Sequence, residues 1–177
     1  VCNFGEKAKN FKLISTENKK KSLENIKGIN GTIIMFICNH CPYVKAIIKD
    51  VVEDVKSLES LGINSVAIMS NDVENYPEDS FENMIKFSKM NNFSFPYLYD
   101  ITQNVAKDYN AVCTPDFFGY NKNLELQYRG RIRELKNLKA TRMGESELKM
   151  AMKLISSTGK GPKEQIPSMG CNIKWFK

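Results

Sequence analysis

The chain has 177 residues, of which 42% are hydrophobic and 26% charged, the make-up of a globular protein with room for one sizeable core and too little for two. A net charge of +6 would suit nucleic acid, but only four of the 26 basic residues are Arg (129, 131, 133 and 142) and no aromatic-rich platform accompanies them, so no nucleic-acid partner is expected. No apolar run reaches the length of a membrane span, so no membrane partner is expected either.

In chain order, Lys19-Lys20-Lys21 reads as a solvated turn. The run TIIMFI (32–37) is continuous, apolar and β-branched, as in a strand buried on both faces. Val44, Ile47, Ile48, Val51, Val52, Val55 and Leu58 then form an apolar stripe at helical spacing. Gly62 ends that helix, and INSVAIMS (63–70) is a second buried strand. Asp79-Ser80-Phe81-Glu82 opens a helix whose core side is Phe81, Met84, Ile85 and Phe87. FPYLYD (95–100) is a short strand and Thr102 to Tyr109 a short helix. DFFGY (116–120) and LELQYRG (124–130) form a hairpin around Asn121-Lys122-Asn123, and Arg129, Arg131 and Arg133 alternate as on one strand face. A last helix spans Glu145 to Ile155, with Gly159 and Gly161 beyond it. Parallel crossovers followed by a hairpin imply an α/β fold, a mixed central sheet flanked by helices. The whole chain reads as one domain, with residues 160–177 as a C-terminal tail docked on it.

Five cysteines, at 2, 38, 41, 113 and 171, are too few for a disulfide scaffold, and their odd number leaves one unpaired. They fit a reducing compartment and catalytic thiols, hence a cytoplasmic location. The first residues lack the pattern of a signal peptide, although a start at Val1 also fits a processed exported form. The stretch FICNHCPYV (36–44) sets Cys38 and Cys41 around the sole histidine, His40, between a buried strand and a long helix. Unpaired N–H groups and the dipole at a helix start favour a thiolate, and cysteines three residues apart can close a disulfide. The pair reads as a redox couple, as half of a zinc site completed by a thiol such as Cys171, or as two buried thiols. Cys171 lies beside the only tryptophan, in GCNIKWF, which suggests a docked tail and a third redox thiol.

The sequence resembles thioredoxin-fold proteins of the redoxin branch, the group of the alkyl hydroperoxide reductase/thiol-specific antioxidant proteins and the thiol–disulfide reductases. Gly5 with Phe11-Lys12-Leu13 resembles that family's opening strand, FPYLYDITQNVAKDYNAVCTPDFF its central region, and YRGRI its returning strand. CNHCPYV, SNDVENYPEDS, CTPDFF and PSMGCNIKW resemble a set of small redoxin proteins. The resemblance implies a thioredoxin-like fold and a thiol–disulfide oxidoreductase that needs no metal or cofactor. Cys38 would be its exposed, acidic nucleophile, Cys41 its resolving thiol, and His40 would help to hold the thiolate. Thr114 and Pro115 match the cis-proline position, where the preceding backbone pairs with a substrate strand. The partner would be a protein or small-molecule disulfide or thiol. An antioxidant peroxidase acting on a peroxide is the alternative.

Three departures stand out. Thr32 to Ile37 carries no carboxylate, which leaves Asp72 or Asp116 to replace the usual proton acceptor. Ile37 stands where a tryptophan is usual. Met35, with no proline before it, stands where a peroxidatic site has its Pro/Thr set, which counts against peroxide reduction. Cys113 is a further accessory candidate, or simply a small core residue.

Overall fold

The computed structural model describes residues 3–177. Its strands are β1 (Lys12–Ser15), β2 (Lys20–Ser22), β3 (Gly31–Phe36), β4 (Ile63–Met69), β5 (Tyr97–Tyr99), β6 (Cys113–Thr114), β7 (Asp116–Asn121), β8 (Leu126–Gly130), β9 (Leu135–Lys136), β10 (Lys139–Ala140) and β11 (Cys171–Asn172). The helices are α1 (Leu23–Ile26), α2 (Pro42–Glu59), α3 (Phe81–Met90), α4 (Asn104–Asp108) and α5 (Glu147–Thr158), with a 3₁₀ turn at Pro77–Asp79. Seven strands make one mixed sheet in the order β2-β1-β5-β4-β3-β7-β8. The pairs β3·β4 and β4·β5 are parallel, and the rest are antiparallel.

Strand β3 is central and every one of its residues is buried. Its alternation divides the core. Ile33 and Met35 face the side covered by α2, α3 and α5, while Ile34 and Phe36 face α1, α4 and the rings of Tyr109 and Phe118. Truncating such a buried Ile to Ala costs about 2–5 kcal/mol, which makes β3 a rigid rail for whatever follows it. Gly62 terminates the α2 connection as the sequence suggests, with φ +76° and an added Cβ 2.6 Å from the Asn30 amide.

Local patterns misjudged the chain in two places. Lys20 and Lys21 belong to strand β2 rather than to a turn, because β1 offers them an antiparallel edge in the register Ile14↔Lys20. Strands this short carry no periodicity to read, which is also why β6, β9, β10, β11 and the single helical turn α1 went unseen. Of the three arginines read on one strand face, only Arg129 lies in β8, and each is held by a carboxylate: Arg129 by Asp116, Arg131 by Glu147 and Arg133 by Asp50. No helix among the described residues is long and apolar enough to cross a membrane.

Candidate active site

Sheet register brings the site together. Phe36 pairs with Asp116 across the antiparallel β3·β7 ladder, so the chain leaving β3 runs opposite the residues just before β7. Cys38 therefore meets Thr114, with 3.6 Å between Sγ and the hydroxyl. The Thr114–Pro115 peptide is cis, and the carbonyl oxygen of Thr114 lies 3.3 Å from the Cys41 sulfur. Strand β4 ends at the same edge and delivers the 70–79 loop.

Helix α2 starts at Pro42, with Cys41 as its N-cap. Cys41, rather than Cys38, is thus the cysteine at the helix terminus, and Cys38 precedes the helix in the bend 38–41. Neither thiol is exposed: Cys38 is 1% and Cys41 0% accessible. That corrects the expectation of an open Cys38, whose sulfur packs against Thr114 and Cys41, while the tail packs against Cys41. Strand β11 pairs antiparallel with β6 in the register Cys171↔Thr114 and Asn172↔Cys113, and the Cys171 sulfur lies 2.9 Å from that of Cys41.

The acidity order also differs from expectation. The Cys38 thiol and, more weakly, the Cys171 thiol hydrogen-bond Cys41 and hold its pKa down to about 4, against the resistance of burial. The Val44 N–H and the Thr114 hydroxyl lower it further, and the Thr114 carbonyl oxygen is the acceptor for the Cys41 S–H once that forms. Cys38 is correspondingly pushed up, first by its bond to Cys41, then by burial and the charge of Asp79. Burial pushes Cys171 up to about 11. Cys113 goes to about 12, again by burial, and its sulfur turns toward the Pro115 carbonyl at 3.4 Å. Cys113 is a half-buried thiol beside the tail.

The carboxylate of this site is Asp79, which sequence reasoning missed. Fully buried, it accepts the Asn39 backbone N–H at 2.8 Å and the Asn71 amide at 3.0 Å, and lies 2.6 Å from His40 Nδ1. The His40 ring stacks on Tyr76 at an interplanar angle of 8°. Asp79 was read as part of a helix start, but Ser80 alone caps α3 through Asn83 N–H. That leaves Asp79 free to turn inward. Asn39 also takes the Tyr97 hydroxyl on Oδ1 at 2.7 Å. The two carboxylates named as substitutes serve elsewhere. Asp116 holds Arg129 and the Val112 N–H, and Asp72 caps its own loop through Glu74 N–H and the Asn75 amide.

Cys38, His40 and Asp79 present ligand atoms within 4.8 Å of one another, the one cluster among the described residues that could hold a metal ion. Both Asp79 oxygens already accept N–H groups, and Oδ2 also faces His40 Nδ1. Cys41 and Cys171, named for the zinc reading, lie outside this cluster.

Comparison with known proteins agrees with the geometry. The AhpC/TSA family model matches residues 4–135. A crystal structure of an uncharacterized conserved protein from Geobacillus kaustophilus is 39% identical, covering 99% of this chain and 94% of its own, with a TM-score of 0.94. A hypothetical protein from Sinorhizobium meliloti is 31% identical over 99% and 96% of the two chains, with a TM-score of 0.93. A secreted Mycobacterium tuberculosis disulfide oxidoreductase, 16% identical over 66% and 80%, shares the fold at a TM-score of 0.57. No curated protein sequence matches. With a mixed sheet, a cysteine pair at the start of α2, a cis-proline facing it and a family match over most of its length, the chain belongs to the AhpC/TSA family of thioredoxin-fold redoxins.

Proposed function

Within this family of thiol oxidoreductases and peroxiredoxin-like proteins, we infer that the chain catalyses thiol–disulfide exchange through Cys38 and Cys41 on a protein or small-molecule disulfide. One observation carries this reading: both sulfurs converge on Thr114, at 3.6 Å from its hydroxyl and 3.3 Å from its carbonyl, beside a backbone edge able to hold an extended chain. Cys38 attacks the substrate disulfide. Its proton passes to Cys41 or to the His40–Asp79 pair, the acceptors next to it. The substrate's far sulfur leaves with the bonding electron pair as a thiolate, which takes that proton up and leaves Cys41 a thiolate again. Cys41 then attacks Cys38, releasing the second substrate thiol and closing Cys38–Cys41. Two thiols of the protein are oxidised and one substrate disulfide is reduced.

A peroxidase needs cationic donors beside its thiolate to carry the developing charge on the leaving oxygen. The charged group acting on Cys38 is the anionic Asp79, and Arg129, Arg131 and Arg133 are held by carboxylates elsewhere. The test is to follow insulin reduction and peroxide consumption by the wild type, Cys38→Ser and Cys41→Ser. Disulfide exchange lost in both variants, with mixed disulfides trapped on Cys38 in Cys41→Ser, supports the reading. Peroxide consumption that survives in Cys41→Ser with an external thiol would overturn it.

A further inference from the structure

We propose that Cys171 is a third member of the redox centre, which takes the disulfide over from Cys38 by pairing with Cys41. This rests on the exchange reading above. Its own support is the way the tail is built onto the site. Sulfur contact alone, 2.9 Å between Cys41 and Cys171, would place two thiols together. Here the backbone fixes the placement as well, through the Cys171↔Thr114 register.

The strand is anchored on both sides. Before it, the Ser168 hydroxyl donates to the Pro115 carbonyl at 2.6 Å, and the Arg131 N–H donates to the Ile166 carbonyl at 2.8 Å. After it, the Lys174 N–H donates to Asn71 Oδ1 at 2.9 Å, and the Asp72 N–H to the Lys174 carbonyl at 2.8 Å. Ile173 is buried against the second core. Gly170 makes the approach possible: an added Cβ would stand 2.1 Å from the Thr114 carbonyl oxygen. The tail lies along the edge that an extended disulfide substrate would use, with a cysteine where the substrate's cysteine would fall.

The step balances without an outside oxidant. Once a substrate disulfide has oxidised the pair, the Cys171 thiol gives up its proton and its sulfur attacks Cys41 Sγ. The Cys38–Cys41 bond breaks, its electron pair goes to Cys38 Sγ, and that sulfur takes up a proton. One S–S bond forms as one breaks. Cys38 is again a free thiol while the protein stays oxidised.

Trypsin separates the participants, because Cys38 and Cys41 share the peptide 28–45 and Cys171 lies in 164–174. The full-length protein is oxidised with glutathione disulfide, blocked with N-ethylmaleimide and digested without reduction. The expected product is peptide 28–45 joined to 164–174, with the blocking group on Cys38 by fragmentation. In Cys171→Ser the linked pair is lost and the disulfide within peptide 28–45 takes its place. Wild type carrying only the Cys38–Cys41 bond, with Cys171 blocked, overturns this proposal and leaves the exchange reading standing. A link made through Cys38 overturns the proposal too. Failure of Cys171→Ser to form any disulfide removes the exchange reading, and the proposal with it.

Discussion

Asp79 accepts the backbone N–H of Asn39 at 2.8 Å, which fixes the bend between the two cysteines to a buried anion forty residues further along the chain. The same carboxylate adds its charge to the bond with Cys41 and the burial that raise the Cys38 thiol, so one group both shapes the loop and acts on its nucleophile.

Asp79→Asn is therefore expected to do two separable things. Its amide cannot match every N–H that the carboxylate accepts, which should cost about 1–3 kcal/mol in chemical denaturation. Removal of the negative charge should lower the Cys38 pKa and speed its alkylation in the reduced, folded protein. Unchanged alkylation kinetics would dissociate Asp79 from the thiol.

Cys41 should be the single thiolate among the four described cysteines at neutral pH, since Cys38, Cys113 and Cys171 are all raised. Ultraviolet thiolate absorbance of the reduced protein should fall on acidification near pH 4 and be missing in Cys41→Ser. Because the folded pKa is depressed from 9.0 to about 4, the stability contributed by Cys41 is complete above pH 9. It declines as pH falls across that window and is gone below about 4. Absorbance that survives in Cys41→Ser would move the charge to another sulfur.

Tyr97→Phe should leave the Asn39 side-chain oxygen without its donor. A buried acceptor stranded in this way costs about 1–3 kcal/mol, measured as a lower denaturation midpoint at unchanged slope. A midpoint equal to wild type would mean that the bend does not depend on this bond.

Gly170→Ala should lift the tail from Thr114, since the new methyl would meet backbone rather than a flexible side chain. Alkylation of Cys38 and Cys41 should accelerate by at least tenfold, while the sheet, built from other strands, keeps its far-ultraviolet signature. If the two cysteines stay as protected as in wild type, the tail is not what covers them.

Most of the sheet was legible because β3 and β4 are long, apolar and β-branched, and because the α2 stripe keeps helical spacing over several turns. The cysteine pair could be found through a strong local pattern, and the Thr114–Pro115 dipeptide through the family resemblance. Asp79 could not. Its role comes from a loop that folds back to Asn39 and His40, and nothing in PEDS marks the aspartate as inward-facing rather than capping. Cys171 was noticed for the tryptophan near it, yet its pairing with Thr114 is a long-range contact in a strand of two residues, below anything periodicity can register. Cys38 is buried among Thr114, Cys41 and the surrounding core, and its thiol is raised first by the bond to Cys41. Such contacts leave no mark in local sequence, which is why its accessibility and acidity were both misjudged.

The pairing of β11 with β6 also sets a threshold for every outside molecule. A segment tethered to the same chain is present at an effective local concentration on the order of millimolar, whatever the amount of protein in solution. A peptide supplied at micromolar concentration competes at a disadvantage of about a thousandfold, equivalent to about 4 kcal/mol. Small molecules have no open route either, because Cys38 and Cys41 are buried while the tail is seated. Any outside molecule therefore has to outcompete a segment that the chain itself supplies.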